Sequence, residues 1–110
     1  MASGEELEID VGSLEPGAMI AVAHRGISIL IANVDGEFYA VENQCSHASV
    51  PLDDGTLRGC ELECDLHGAV FDIRDGKVLE LPARSPLRSF PVERRGDRIS
   101  VRVAPDPDTP

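Results

Sequence analysis

The chain has 110 residues, room for one domain and one modest core, and 42% of them are apolar. Three Phe, one Tyr and no Trp mean that aliphatic side chains must build most of that core. A net charge of −10 speaks against nucleic acid as a partner, because phosphate binding needs basic patches. Three cysteines, an odd number, argue against a secreted disulfide framework. In a reducing compartment, cysteines beside histidines more often mean metal or catalysis. The start, Met1-Ala2-Ser3-Gly4-Glu5-Glu6, is acidic, unlike a signal peptide. The longest apolar run, Ile27 to Ala32, is too short to span a bilayer. A cytoplasmic protein without membrane contact is therefore expected.

In chain order the pattern is mostly β. Val11 to Gly17 has room for one short turn, closed quickly by Pro16 and Gly17. Ala18 to His24 and Ile27 to Asn33 are Ile- and Val-rich runs around a predicted turn at Arg25-Gly26. Asp35-Gly36 is a second hairpin signal, leading into Glu37 to Val41. From Glu42 to Gly59 the strand pattern lapses, as functional loops often do. Further strands are predicted at Cys60 to Cys64, at Ala69 to Ile73 and, after the turn Arg74-Asp75-Gly76-Lys77, at Val78 to Leu81. Phe90 to Glu93 and Arg98 to Val103 flank Arg95-Gly96-Asp97, and the last strand alternates Ile99, Val101 and Val103 with Arg98, Ser100 and Arg102. The proline-rich acidic stretch 104–110 reads as a flexible tail.

Two short pairs carry the chemistry: Cys45-Ser46-His47 and Cys64-Asp65-Leu66-His67, with sixteen residues between His47 and Cys64. Each half alone is a weak signal; two in series, each beside turn residues, are far rarer. Two thiolates and two imidazoles suit a tetrahedral zinc ion. They equally suit a [2Fe–2S] cluster in which two histidines replace two cysteines on one iron. Four thiolates would leave the oxidised site doubly negative, whereas two thiolates and two neutral imidazoles leave it neutral. The neutral site accepts an electron more readily. Zinc sites usually pair like with like at C-x₂₋₄-C and H-x₃₋₅-H spacing, which the mixed pairs do not match. A mononuclear non-haem iron site would use two His and a carboxylate, and a Cys–His dyad leaves the second pair unexplained.

Cys45-Ser46-His47, Pro51-Leu52-Asp53-Asp54-Gly55-Thr56-Leu57 and Cys64-Asp65-Leu66-His67-Gly68-Ala69-Val70-Phe71-Asp72 together resemble the Rieske ferredoxins. The likeness continues through Asp75-Gly76-Lys77, Leu81-Pro82-Ala83 and Phe90-Pro91-Val92, covering about Leu7 to Val103. The resemblance implies an all-β fold of three small antiparallel sheets in a single domain, 1–103, with a cluster-binding subdomain inserted at about 41–75. It implies one [2Fe–2S] cluster, with Cys45 and Cys64 on an inner iron and His47 and His67 on an outer iron near the surface. Pro82 falls in a third loop that covers the cluster. Gly68 would let backbone pass close to it, and backbone N–H groups of the loops would then tune its potential.

The departures from the pattern are informative. Respiratory and photosynthetic Rieske proteins carry a further cysteine in each cluster loop, forming a disulfide; Val50 or its neighbours and Leu66 stand there in this chain. Those proteins also place a hydroxyl residue and a Tyr where Ala69 and Phe71 stand. With fewer donors to sulfur, and with Glu42, Asp53, Asp54, Glu61, Glu63 and Asp65 near the motifs, a potential at the low end of the Rieske range is expected.

Free ferredoxins of this kind resemble the middle component of bacterial aromatic-ring-hydroxylating dioxygenase systems. That implies a monomeric carrier, not itself an enzyme, working in aromatic hydrocarbon catabolism. It would take electrons from a flavin-dependent ferredoxin reductase and pass them to a terminal oxygenase. No GxGxxG fingerprint is present to bind a dinucleotide. The alternatives are a Rieske-like small subunit of an assimilatory nitrite reductase and a zinc-stabilised structural module. Elsewhere, Cys60 reads as a small buried hydrophobe, His24 as a surface or turn residue, and Met19 as core. Arg84, Arg88, Arg94 and Arg95 read as a solvated basic face.

Overall fold

The structure, a computed structural model, describes residues 5–24, 26–44, 52, 53, 55–64, 69–80 and 86–103. These form eleven strands and, among the described residues, no helix. The strands are β1 (Glu5–Asp10), β2 (Met19–His24), β3 (Ile27–Val34), β4 (Glu37–Glu42), β5 (Thr56–Arg58), β6 (Glu61–Glu63), β7 (Val70–Asp72), β8 (Val78–Glu80), β9 (Ser89–Phe90), β10 (Val92–Arg95) and β11 (Arg98–Val103). They make three antiparallel sheets: β1-β11-β10, β2-β3-β4-β9 and β5-β6-β7-β8. The expected three-sheet all-β fold is therefore what the chain adopts. The third sheet lies, in sequence, between β4 and β9, which pair with each other.

β3 is the centre. The run Ile29 to Asn33 is buried without interruption, which is why its sequence lacks the alternation of a half-buried strand. Ile29 and Ile31 face one core with Ala40, Phe90, Ile99, Val101 and Val103. Leu30 and Ala32 face a second core with Val41, Leu52, Leu62, Cys64, Phe71, Ile73 and Leu87. The first core joins the middle sheet to the β1-β11-β10 sheet and the second joins it to the β5-β8 sheet. Fully burying a side chain such as Phe71 stabilises by about 1.5–3 kcal/mol.

The β3–β4 hairpin turns at Asp35-Gly36, with φ of 52° and 93°, the paired positive values of a type I′ turn. Buried Asn33 holds this hairpin: its Oδ1 accepts from the Gly36 amide at 2.8 Å and its Nδ2 donates to the Leu14 carbonyl at 2.7 Å. Val11 to Gly17 thus lies over the sheet as two turns, closed by Leu14 N to Val11 O and Ala18 N to Glu15 O, both 3.0 Å.

Three segments differ from the sequence expectation. β1 forms where no strand was expected, because Leu7 and Ile9 pack inward against Val101 and Ile99 while Glu6 and Glu8 stay outside. β5 lies inside the segment where strand formers lapse; it forms by pairing with β6 in a short hairpin. Phe90 to Glu93 is not one strand. Pro91 lacks an N–H, and there the chain leaves the middle sheet as β9 and enters the first sheet as β10.

The β7–β8 connection is fixed by two chemical devices. Arg74 donates to both carboxylate oxygens of Asp72, at 3.0 and 2.7 Å, and holds that carboxyl below the ordinary range. Gly76, at φ 80°, donates to the Asp72 carbonyl and accepts from the Leu87 amide at 2.8 Å. A side chain at Gly76 would run into the Leu87 carbonyl. Gly76→Ala should cost about 2 kcal/mol or more, read from chemical denaturation. A pKa lowered by folding makes Asp72 stabilising above its ordinary value, and that contribution is lost as pH falls through its folded value. The stability gap between the parent and Asp72→Asn should accordingly be present at neutral pH and shrink as the pH falls below the ordinary aspartate range.

Candidate metal centre

Of the four predicted ligands the structure describes Cys64. Cys45, His47 and His67 lie outside the described residues, as do Pro82, Arg84 and the tail 104–110. Among the described residues no group of three or more His, Cys, Asp and Glu could hold a metal ion. What the structure shows is how the chain around each pair is anchored.

Cys64 directly follows β6 and is fully buried in the core shared with Leu52, Leu62, Ala69 and Phe71. Its amide donates to the Ala69 carbonyl at 2.8 Å, so residues 65–68, which carry His67, leave and re-enter the hairpin across one hydrogen bond. Ala69 and Phe71 are completely buried, and neither side chain carries a donor. β8 holds a bulge opposite Val70 and Phe71: Val70 pairs with Glu80 and Phe71 with Val78, leaving Leu79 extra and its side chain exposed.

The first pair is anchored by a residue that the sequence reading missed. Asn43 follows β4 and is nearly buried. Its Oδ1 accepts from the Leu52 and Asp53 amides at 2.8 and 2.9 Å, closing residues 44–51, which carry Cys45 and His47. The available signal was slight: an asparagine, the residue type that bonds neighbouring backbone in turns, at a strand end two residues before Cys45.

Cys60 stands at the other end of β6. Its carbonyl accepts from the Ile73 amide at 2.8 Å, closing the hairpin end opposite Cys64. The three residues of β6, Glu61 to Glu63, lie between the two cysteines, and four extended residue steps span about 13 Å. Cys60 is half-buried against the core, less enclosed than the sequence suggested. Arg94 lies over Phe38, 5.2 Å from the ring centroid, and donates to the Gly36 carbonyl at 2.9 Å. Arg95 pairs with Glu93 at 2.8 Å, and Arg88 lies 5.0 Å from the Phe90 centroid.

The family model of the Rieske [2Fe–2S] domain matches residues 7–91. The chain belongs to the Rieske [2Fe–2S] family. Its cofactor is one [2Fe–2S] cluster. Similar proteins include the ferredoxin component of biphenyl 2,3-dioxygenase from Rhodococcus jostii, 44% identical over 90 residues, 82% of this chain and 84% of that protein. Among solved structures, the ferredoxin of carbazole 1,9a-dioxygenase from Nocardioides aromaticivorans superposes with a TM-score of 0.83 at 32% identity, covering 96% of this chain and all of that one. A complex of reduced oxygenase and oxidised ferredoxin in carbazole 1,9a-dioxygenase gives a TM-score of 0.84 at 31% identity, covering 88% and 92%.

The described residues fit the Rieske group. Leu52, Cys64 and Ala69, which adjoin in sequence the segments carrying His47 and His67, belong to one core cluster. A buried thiol beside apolar neighbours suits a cluster ligand, and the two cysteines and two histidines of the sequence motifs are the donor types of a Rieske centre. Cys60→Ala is expected to keep full iron content and an unchanged visible spectrum, as measured on purified holoprotein.

Proposed function

We propose that Cys45, His47, Cys64 and His67 hold the cluster, and that the chain carries single electrons from a flavin-dependent ferredoxin reductase to the terminal oxygenase of an aromatic-ring dioxygenase system. The observation that carries this reading is the match of this chain, over 82% of its own length and 84% of the relative's, to a protein named as the ferredoxin component of a dioxygenase system, with further relatives named likewise. The solved complex of a ferredoxin of this fold with its oxygenase supports the second half of the route. We take 1–103 as one domain with its cluster-binding part at about 41–75, whose sheet is completed by β8. The carrier would act as a monomer in the cytoplasm, where reducing conditions keep Cys60 and Cys64 as thiols when no metal is bound. Among the described residues no helix is long and apolar enough to cross a membrane.

When bound, the cluster supplies one site that takes up and gives back a single electron. The chain's part is to place ligands and exclude water. Cys64 is sealed in the core, and the loops that hold both histidines are closed at their bases. An open depression of about 290 Å³ lies over the β1-β11-β10 sheet, lined by Glu6, Pro91, Val92, Glu93, Ser100 and Arg102, on a different sheet from Cys64.

Buried Ala69 and Phe71 give sulfur no side-chain donor, and Asp53, Glu61 and Glu63 add negative charge to the same lobe. The midpoint potential should therefore lie nearer ~−150 mV than +300 mV, and a clearly positive value in a redox titration would contradict it. Electron paramagnetic resonance of the dithionite-reduced protein should give a rhombic signal with average g below that of all-cysteine ferredoxins. His47→Cys or His67→Cys should shift that signal and lower the potential, or lose the cluster; an unchanged cluster would show that other residues are the ligands.

A further inference from the structure

We propose that Asn43 is a positioning residue for electron transfer. Its carboxamide fixes the first ligand-bearing loop to the middle sheet, so that the placement of Cys45 and His47 is inherited from β3. This rests on the reading of Cys45 and His47 as ligands.

The carboxamide of Asn43 uses all of its hydrogen-bonding capacity. Oδ1 accepts from the amides of Leu52 and Asp53 at 2.8 and 2.9 Å. Nδ2 donates to Ser28 Oγ at 3.1 Å and to Asp53 Oδ1 at 3.0 Å. The Asn43 amide donates to the Ser28 carbonyl at 2.8 Å, holding the residue at the end of the β3–β4 ladder. One side chain thus ties three places together: Ser28 on β3, the exit of the loop at 43 and its return at 52 and 53. Ser28 is the exposed position of β3 that receives this bond.

Position 43 needs both acceptor and donor. Leu52 is fully buried, so its amide has no water to turn to if Oδ1 is removed. Alanine leaves two amides and the Ser28 hydroxyl without this partner. Aspartate keeps the acceptors but faces the Asp53 carboxylate. Exchanging the two side chains restores the set: a carboxylate at position 43 accepts from both amides and from the Ser28 hydroxyl, and a carboxamide at position 53 donates the bond that Asn43 gave. Net charge does not change in that exchange. The loop between the anchors is eight residues long and bears two of the four ligands. Loosening its base widens the range of imidazole and thiolate orientations, which registers in the g-values of the reduced centre and in how firmly iron is held.

The test uses holoprotein throughout. Asn43→Ala should broaden or shift the resonance of the reduced centre, speed iron loss to a chelator by about tenfold or more, and raise amide exchange in the peptide spanning 44–53 while that of β11 is unchanged. Asn33→Ala removes the other buried carboxamide, the one that holds the Val11 to Gly17 turns, and should leave the resonance and the iron-loss rate as in the parent. The exchange N43D with D53N should restore the parental resonance, and decides the matter if Asn43→Ala fails to fold. Parental g-values and iron retention in Asn43→Ala, equal effects from Asn33→Ala, or an exchange variant that behaves like the alanine variant would overturn the proposal. Cys45→Ala and His47→Cys, measured alongside, separate the two readings: if they leave the cluster unchanged, the ligand assignment has failed, and if they perturb it while Asn43→Ala does not, the positioning role alone has failed.

Discussion

The burial of β3 on both faces is the constraint on which this small protein depends. A chain of 110 residues with few aromatics cannot fill one large core. It makes two thin ones, and the same strand supplies both, with Ile29 and Ile31 to one side and Leu30 and Ala32 to the other. The middle sheet is therefore a shared wall. Any displacement of β3 is felt in both cores, and every element that touches it is located relative to a single rigid strand.

The β5-β8 sheet takes its position from that wall. Val41 of β4 and Leu30 of β3 pack with Leu52, Leu62, Phe71 and Ile73, so the β5-β8 sheet is attached through side chains that flank the loop bases. Cys64 is one of those core residues, which gives a ligand of the reading proposed above the immobility of the interior. The loop bases are closed by hydrogen bonds and not by a disulfide: Cys64 to Ala69 on one side, and the Asn43 carboxamide on the other.

The outer face of the β1-β11-β10 sheet shows how the acidic charge is carried. Glu6 and Glu8 lie 3.6 Å from Arg102 and Arg98, and Glu93 lies 2.8 Å from Arg95. All six side chains are more than half exposed, so these pairs contribute little stability. They do place charge along both outer strands, β1 and β10, where it discourages pairing with another chain.

Much of the molecule is local in origin and was legible in the sequence. The hairpin at Asp35-Gly36 follows from positive φ, the alternation of β11 follows from one buried face, and the resemblance carried by the two mixed Cys–His pairs and the residues around them pointed to the family that the family model shows. Strand β1 was not legible, because a run of four acidic residues and two aliphatics becomes a strand only when β11 is present to receive Leu7 and Ile9. The division of Phe90 to Glu93 between two sheets, the separation of Cys60 from Cys64 along β6, and the fourfold use of the Asn43 side chain are likewise products of tertiary structure. Periodicity and motif spacing are properties of neighbours in the chain. A polar bond from Asn43 to Ser28, Leu52 and Asp53 is a property of neighbours in space, and folding alone brings them together.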